Sequence, residues 1–473
     1  MTAPERPLPR GVVARYAIGS IGTGGFATLP GLVLVYYLTD TLGVAALAAG
    51  LVVTAAKVWD VVIDPFIGER SDRALARTGT RRTWMLAGAA LLPVGFALTF
   101  AVPAGIGPVG SAIWVCLAFL ATATAFSVFQ VPYLALPAEL TAGYDDRTRL
   151  LTWRVVVLTV AILAFGAGGP EVRAAFDDEH VGYLVMAIVA GLAIGAGMLV
   201  ASTTAVRRAP RPSAAAGAPG GGLRDGYREG LDALRRSAPF RALLATFVLQ
   251  GLATGLMLAG AQFVATWVLR SESAVTLLFV ALIAPAVLCA PLWAALARRV
   301  GKESGFAIAS SVFAVAALSL VGMLWTPGAW VYVPVGVAGA AYAGMQSLPM
   351  AMLPDVISHD AARHGADRAG SFSGVWTAGE TAGMALGATL LSIVLAVTGY
   401  LESTGAEVVE QGAGAVAGIV MSFSVLPAAL VALSLIALRG YHLRRDDVDG
   451  TTTPAELAAD AAPATGAPQE GSR

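Results

Sequence analysis

Three ionisable residues stand close together in the stretch KVWDVVIDPFIGERSDR, which begins at Lys57 inside an otherwise apolar segment. Lys57, Asp60 and Asp64 follow one another at spacings of three and four residues, so on a helix they share one face. A single charge at the centre of a membrane span costs about 2.5–3.5 kcal/mol. This face therefore cannot contact lipid and must face a bundle interior or a water-filled cavity.

The chemistry of this stripe allows two interpretations. In the structural one, Lys57 and Asp60 form a buried ion pair that only fixes helix packing. In the functional one, Lys57 neutralises one carboxylate and leaves the other free to bind H⁺ or Na⁺. Two carboxylates this close repel each other when both are ionised, which favours a site that takes up a proton. We favour the functional interpretation, because ionisable residues inside a membrane commonly mark ion or substrate pathways.

Two more charges are embedded in apolar segments. Glu380, in SGVWTAGETAGMALG, lies about 15 Å into its predicted helix, close to the centre of a bilayer. Arg154, in RLLTWRVVV, lies roughly two turns into another predicted helix and needs an anion inside the bundle. Glu380 could bind substrate or could pair with a basic group such as Arg154, and the sequence leaves both alternatives open.

Long apolar segments must position these residues. The 473-residue chain is 56% hydrophobic and only 13% charged, and its mean hydropathy is +0.71. A soluble protein carries about 25% charged residues, so we expect an all-α integral membrane protein. Twelve segments are long enough to span about 30 Å of hydrocarbon. They lie near 16–38, 44–68, 83–103, 109–137, 150–172, 182–203, 240–268, 273–297, 303–325, 329–353, 371–399 and 413–438.

The basic residues predict the orientation of these segments. Of 31 Lys and Arg residues, only Arg173 and Arg270 fall in predicted outer loops, which places both termini in the cytoplasm. We expect the membrane to be the inner (cytoplasmic) membrane of the cell. We predict four regions: an N-terminal six-helix half, a cytoplasmic linker rich in Pro, Ala and Gly, a C-terminal six-helix half, and a disordered tail. These are residues 1–203, 204–238, 239–445 and 446–473.

The two predicted halves resemble each other. QVPYLALPAEL begins at Gln130, and QSLPMAMLPDV begins at Gln346. Each stretch carries two prolines five residues apart, just before an acidic residue, and we expect these prolines to break the same helix at the same depth in each half. Parallel repeats of this kind are typical of secondary transporters, with the substrate site between the halves near the membrane midplane. Chance proline kinks in a bundle are the alternative.

Three stretches together resemble a known family: KVWDVVIDPFIG with its following SDR and TRR, VPYLALPAELTAGYDDRTRLLTWR, and GVWTAGETAGMALGATLLSIVLAVTGY. They are similar to the glycoside–pentoside–hexuronide cation symporters, the branch of the major facilitator superfamily that includes the bacterial melibiose permease. The resemblance extends over all twelve predicted spans. It implies a twelve-helix transporter that works by alternating access and couples substrate movement to Na⁺, Li⁺ or H⁺.

The resemblance assigns a cation site in part. The two helix-2 aspartates of the family correspond to Asp60 and Asp64, the preceding basic residue to Lys57, and a threonine ligand of helix 4 to Ser127. The asparagine that stands just before the second aspartate in the melibiose permease is Ile63 here. This loss of an oxygen ligand makes H⁺ a better candidate than Na⁺, because a proton needs only one carboxylate.

The sugar-binding positions of the family match less well. The resemblance to the melibiose permease places its helix-1 aspartate at Gly24, its helix-4 aspartate at Gln130, a nearby tryptophan at Leu134, and its helix-11 lysine near Thr381. Arg154 retains the helix-5 arginine. Trp376 and Glu380 lie in the third matching stretch, and we include them among the candidate substrate-binding residues. Because carboxylates and an aromatic platform for sugars are depleted, we expect a small polar solute, either a sugar or a sugar-like compound, rather than a melibiose-like galactoside.

The loop after the second span resembles the gating motif of the major facilitator superfamily. This resemblance implies that Asp72, Arg81 and Arg82 form ion pairs between helices that stabilise one access state, and we add Arg147 and Arg149 from the next basic loop. The alternative is a solvated, positively charged cytoplasmic loop.

Two other functions compete with uptake of a sugar-like solute. A proton-driven exporter of a small amphipathic compound has the same embedded carboxylates, since direction depends on gradients and affinities. A non-transporting membrane sensor is the alternative of another class. No nucleophile–base arrangement, metal motif or nucleotide loop is present in the sequence. We therefore expect a monomeric transporter in the lipid bilayer that is not an enzyme, has no cofactor beyond its coupling ion, and binds no nucleic acid.

Overall fold

A computed structural model of the chain describes residues 8–141, 144–205, 234–271, 273–364, 369–404 and 409–443. Most of the predicted linker and the predicted tail lie outside these residues. Twelve long helical segments make up most of the described part. In chain order, α1 to α12 are Arg10–Thr41, Ala46–Thr78, Arg82–Phe100, Gly107–Leu140, Tyr144–Ala174, Glu179–Ser202, Ala238–Val268, Ala274–Val300, Lys302–Leu324, Tyr332–His364, Ala369–Val397 and Ala413–Leu438.

Eleven of these helices, within the described residues, are long and apolar enough to cross a membrane. The exception is α10, which covers the predicted span 329–353 and continues to His364. Its uncharged part contains Gly, Pro, Tyr, Gln and Ser residues, which lower the hydropathy, and its C-terminal turns carry Asp355 and Asp360. The number of twelve membrane crossings and the cytoplasmic termini therefore stay predictions, whereas the all-helical architecture is confirmed.

The paired prolines do not end their helices, contrary to the prediction of a break. Pro132 and Pro137 lie inside α4, and Pro349 and Pro354 lie inside α10. Proline is tolerated in membrane helices because neighbouring helices and side chains can satisfy the backbone groups that it leaves free. The repeat consequently marks two continuous helices that extend past their apolar spans.

Within the described residues, the two sets of six helices meet mainly along three pairs, α1 with α7, α2 with α11, and α5 with α8, and α1 also touches α11. Glycine residues, which have no side chain, allow this close approach. A Cβ atom added to Gly50 of α2 would clash with Ser392 of α11, and one added to Gly166 of α5 would clash with the ring of Phe279 of α8. Small residues at such contacts let helix backbones come close where lipid provides no hydrophobic drive.

We call the helix ends that carry the arginine-rich loops the inner ends, and the opposite ends the outer ends. Hydrogen bonds between the two halves lie toward the outer ends. Thr54 of α2 bonds to Thr389 of α11, and Thr276 of α8 donates to the Ala167 carbonyl at 3.1 Å and to Glu171 at 2.6 Å. The two halves are thus joined on the outer side.

Candidate functional site

The stripe on α2 has the pairing expected from its spacing. Lys57 Nζ lies 3.3 Å from Asp60 Oδ2 across one helical turn. The other oxygen of this carboxylate, Asp60 Oδ1, is buried without a hydrogen-bond partner in the described part of the chain, and so is Oδ1 of Asp64. Buried acceptors of this kind are costly to leave unpaired, so both oxygens are available to bind a cation or a proton.

Ser127 of α4 completes this group. Its side chain is 2% exposed and lies beside the Asp64 carboxylate. The cluster therefore consists of two carboxylates, one ammonium group and one hydroxyl. Among the described residues, no group of three or more His, Cys, Asp or Glu side chains could hold a metal ion. The cluster therefore offers carboxylate and hydroxyl oxygens to a proton or a small cation.

The predicted substrate positions of the N-terminal half lie in different surroundings. Gly24 packs against α5, where an added Cβ would contact Ala161. Gln130 of α4 accepts a hydrogen bond from the Thr23 hydroxyl at 2.9 Å, which joins it to α1. Leu134, one helical turn farther along α4, is about half exposed. Only Gln130 in this set offers polar atoms to a solute.

Arg154 of α5 lies 5.8 Å from the centre of the Tyr133 ring on α4. Its Nε is buried and has no hydrogen-bond partner in the described part of the chain. The Tyr133 hydroxyl is itself fixed, because it donates to the Tyr16 carbonyl at 2.9 Å and lies 3.0 Å from the Ser20 hydroxyl. The structure thus holds the guanidinium against an aromatic face, without an ion pair to any described carboxylate.

The predicted residues of α11 lie in the C-terminal half. Trp376 is 2% exposed, stacks on Phe247 with ring centres 4.3 Å apart, and leaves its indole N–H without a described partner. Glu380, one turn farther along, lines a cavity between α7, α10 and α11, and Thr381 lies beside it in the chain, partly buried. Among the described residues, Arg154 and Glu380 do not form an ion pair with each other. Arg154 contacts residues of the N-terminal half, and Glu380 contacts residues of the C-terminal half.

Arg81 is the centre of the loop motif. The residue is 8% exposed and forms an ion pair with Asp72 of α2, a second one with Glu139 of α4 at 2.5 Å, and a hydrogen bond to Ser71 at 2.7 Å. These contacts join the inner ends of α2, α3 and α4. Arg82, in contrast, is exposed, and its side chain has no ion pair within the described residues.

The C-terminal half has a counterpart that the sequence analysis did not single out. Lys302, at the start of α9, lies 2.6 Å from Asp355 near the inner end of α10, and Arg236 lies 3.1 Å from Asp360. The acidic residue after the second proline of each repeat is therefore the partner of a basic residue. This shared position of Glu139 and Asp355 was the signal that could have identified both pairs.

Arg147 and Arg149 do not join this network. Arg149 lies 4.0 Å from Asp146 on the same helix and donates to the Leu8 carbonyl at 3.3 Å. Arg147 donates to the Thr141 carbonyl at 3.5 Å. These contacts join α5 to Leu8 and to Thr141 at the end of α4 rather than to a basic or acidic residue of another helix end.

We expect Arg81→Gln to slow transport and lower stability far more than Arg82→Gln. The first change leaves the partly buried Glu139 without its cation, and breaking a buried pair costs about 3–5 kcal/mol, less here because Asp72 is largely exposed. Thermal unfolding and initial rates of solute exchange measure the difference, with Arg82→Gln as the matched control. Equal effects of the two variants would contradict this role of Arg81.

A second cluster, the outer latch, joins the halves at the outer ends and consists of Asp40, Trp267, Tyr400 and Ser403. Tyr400 donates its hydroxyl to Asp40 Oδ1 at 2.5 Å and accepts from the Trp267 indole at 2.8 Å. Ser403 donates to the Asp40 carbonyl at 2.7 Å. Sequence reasoning missed these residues, since Asp40 and Tyr400 lie 360 positions apart.

Similarity to known proteins agrees with this architecture. The sequence profile of the family described as MFS/sugar transport protein matches residues 15–445. A protein of Escherichia coli provisionally named a glycoside/cation symporter is 31% identical over 179 residues, which cover 37% of this chain and 39% of the relative. A glucuronide carrier protein homolog of Escherichia coli is 24% identical over 447 residues, covering 91% of this chain and 92% of the relative. The chain thus matches about two fifths of the first relative's length and nearly all of the second.

Solved structures share the fold at low sequence identity. The crystal structure of a nucleoside transporter has a TM-score of 0.62 at 13% identity and covers 92% of this chain and 99% of its own. A bacterial homolog of the human lysosomal transporter Spinster, in an inward-facing and unoccupied conformation, has a TM-score of 0.64 at 15% identity, covering 91% and 96%. Both likenesses concern the arrangement of helices.

Proposed function

The chain belongs to the MFS/sugar transport protein family, and from this we propose that it moves a small polar, sugar-like solute by alternating access, coupled to H⁺. It is a multi-pass membrane transporter of the secondary type and not an enzyme. The coupling ion, the solute class, the bacterial inner-membrane location, the twelve membrane crossings and the cytoplasmic termini are all parts of what we propose. Names of relatives that refer to glycosides and a glucuronide support the solute class.

The Asp64 carboxylate carries the proposal of proton coupling. Its buried Oδ1 has no hydrogen-bond partner among the described residues, whereas Asp60 is paired with Lys57. A carboxylate in this position gains a proton when water is excluded from it, because an isolated buried charge is unfavourable. The proton can then leave on the side to which the cavity next opens. The closed outer side and the ion pairs within each half at the inner ends support a conformation open toward the inner side.

Uptake into proteoliposomes tests this function. Purified protein is given a panel of radiolabelled hexoses, pentoses, glycosides, hexuronates and amino sugars under an imposed H⁺ gradient, an imposed Na⁺ gradient, or neither. We expect at least one of these solutes to accumulate under the H⁺ gradient and an uncoupler to abolish its accumulation. Accumulation that depends on Na⁺ alone, or no gradient-driven accumulation of any solute, would contradict the proposal.

Labelling of single cysteines tests the topology. Arg77→Cys lies on the exposed inner end of α2, and Asp177→Cys lies in the exposed turn between α5 and α6. With Cys116 and Cys289 replaced by alanine, we expect a membrane-impermeant maleimide to label position 177 in intact cells and position 77 only after permeabilisation. The reverse pattern would overturn the predicted orientation.

A further inference from the structure

The cavity beside Glu380 has a polar lining that selects for one kind of chemical group. It lies inside the C-terminal half and is lined by Phe247, Gln250, Thr254, Tyr342, Gln346 and Glu380, among others. The enclosed space is narrow and admits a group about the size of one water molecule rather than a sugar ring. A solute would therefore place a small polar substituent here while its body lies outside.

Gln250 presents a carbonyl oxygen that lacks a partner. Its Nε2 donates to the hydroxyl oxygens of Ser310 at 2.9 Å and Ser434 at 3.0 Å. Both serines use their own protons on helix carbonyls, of Phe306 and Val431 respectively, so their oxygens can only accept. The orientation of the amide is thereby determined. Gln250 is 3% exposed, and its Oε1 is buried without a hydrogen-bond partner in the described part of the chain.

Most other polar groups of the lining are already engaged, and the Tyr342 hydroxyl keeps one proton that it can donate. The Thr254 hydroxyl donates to the main-chain carbonyl of Gln250 at 3.0 Å, and Gln346 Nε2 donates to the Tyr342 hydroxyl at 2.6 Å. The Glu380 carboxylate forms no hydrogen bond or ion pair with the described residues. The cavity thus combines one free carboxylate with one free amide oxygen and offers few free donors.

We infer that this cavity binds a protonated primary amine of the transported solute, with Glu380 as its counter-ion. An ammonium group carries three donors and no acceptor, which matches the free oxygens of Glu380 and Gln250. A neutral hydroxyl supplies only one proton and leaves the carboxylate uncompensated, which is costly in a buried site. The ring of Phe247, held by its stacking on Trp376, forms an apolar wall that also tolerates a cation.

This inference rests on the proposed function and specifies its substrate class: a hydroxyl-bearing solute with a primary amine, as in an amino sugar. Such a solute has the polar hydroxyl groups of a sugar and, in addition, a positive charge that Glu380 can bind. Binding of the amine is independent of the coupling ion at Asp64. The two proposals can therefore fail separately.

Equilibrium binding to the purified protein in detergent tests the amine site with matched probes. Glucosamine is compared with glucose, galactosamine with galactose, and 2-aminoethanol with ethylene glycol, by thermal shift and by isothermal titration at a pH at which the amines are protonated. We expect the amine of each pair to bind at least tenfold more tightly than its neutral partner. Absence of an amine preference in all three pairs overturns the inference.

Variants assign the preference to Glu380. Glu380→Gln should weaken binding of the amine by about 10-fold to 100-fold, the range expected for a lost hydrogen bond to a charged group, with little change for the neutral partner. Glu380→Asp should retain part of the preference, and Glu69→Gln, an exposed carboxylate on α2, should retain all of it. An unchanged preference in Glu380→Gln, in protein that unfolds at the wild-type temperature, places the amine elsewhere and overturns the inference. Glu380-dependent binding without gradient-driven accumulation would instead contradict only the proposed coupling.

Discussion

Asp64→Asn should abolish accumulation of solute against a gradient while the protein still folds and exchanges solute downhill. Asparagine keeps the size and hydrogen bonding of the side chain but cannot take up a proton. The accumulation ratio in proteoliposomes is expected to fall to about 1, and the pH dependence of uptake should disappear. Asp177→Asn, an exposed change in the turn between α5 and α6, is the matched control and should behave as wild type.

Lys57→Ala should act differently, because it removes the partner of Asp60 and leaves the coupling carboxylate in place. The loss of one member of a buried ion pair costs about 3–5 kcal/mol, and the lower part of this range applies because Lys57 is 30% exposed. We therefore expect a lower unfolding temperature and lower expression, with uphill transport retained in the protein that folds. If Asp64→Asn still accumulates solute with a normal response to pH, the stripe on α2 is structural.

Tyr400→Phe should open the outer side of the transporter. This change removes the hydroxyl that donates to Asp40 and accepts from Trp267, in a residue that is only 4% exposed. A hydrogen bond to a charged group contributes about 1.5–3 kcal/mol, so the equilibrium between outer-closed and outer-open forms should shift roughly 10-fold to 100-fold. Transport should slow, because the inward-facing conformation loses stability relative to its counterpart.

Distances between spin labels measure this shift. Ala104→Cys, in the turn between α3 and α4, and Thr326→Cys, in the turn between α9 and α10, are both exposed outer positions in opposite halves. We expect the population with the longer distance to grow in Tyr400→Phe. Tyr332→Phe, a half-buried tyrosine at the start of α10, is the matched control. An unchanged distance distribution in Tyr400→Phe would show that the outer latch does not stabilise closure.

Local properties of the sequence were sufficient to predict the membrane helices and the charged residues inside them. A run of about 20 apolar residues identifies a membrane helix whatever its neighbours are, because the bilayer acts on each segment separately. The spacing of Lys57, Asp60 and Asp64 likewise places them on one face of a single helix. The ion pair of Lys57 with Asp60, which the structure shows at 3.3 Å, could therefore be predicted. The helix ends were harder to predict, since α2 and α10 continue beyond their apolar spans into polar turns whose carboxylates pair with basic residues outside the helix, Asp72 with Arg81 and Asp355 with Lys302.

The side-chain contacts between different helices depend on distant parts of the chain and could not be predicted from local sequence. Ser127 beside Asp64, Glu139 on Arg81 and Tyr400 on Asp40 each join residues from different helices. The free oxygen of Gln250 appears only when two serines, from α9 and α12, occupy the nitrogen of the same amide. Hydropathy gives the free-energy cost of placing one residue in the membrane, and spacing gives the helix face on which the residue lies. The availability of a buried polar atom depends on what the neighbouring helices donate to it, which only the tertiary structure determines.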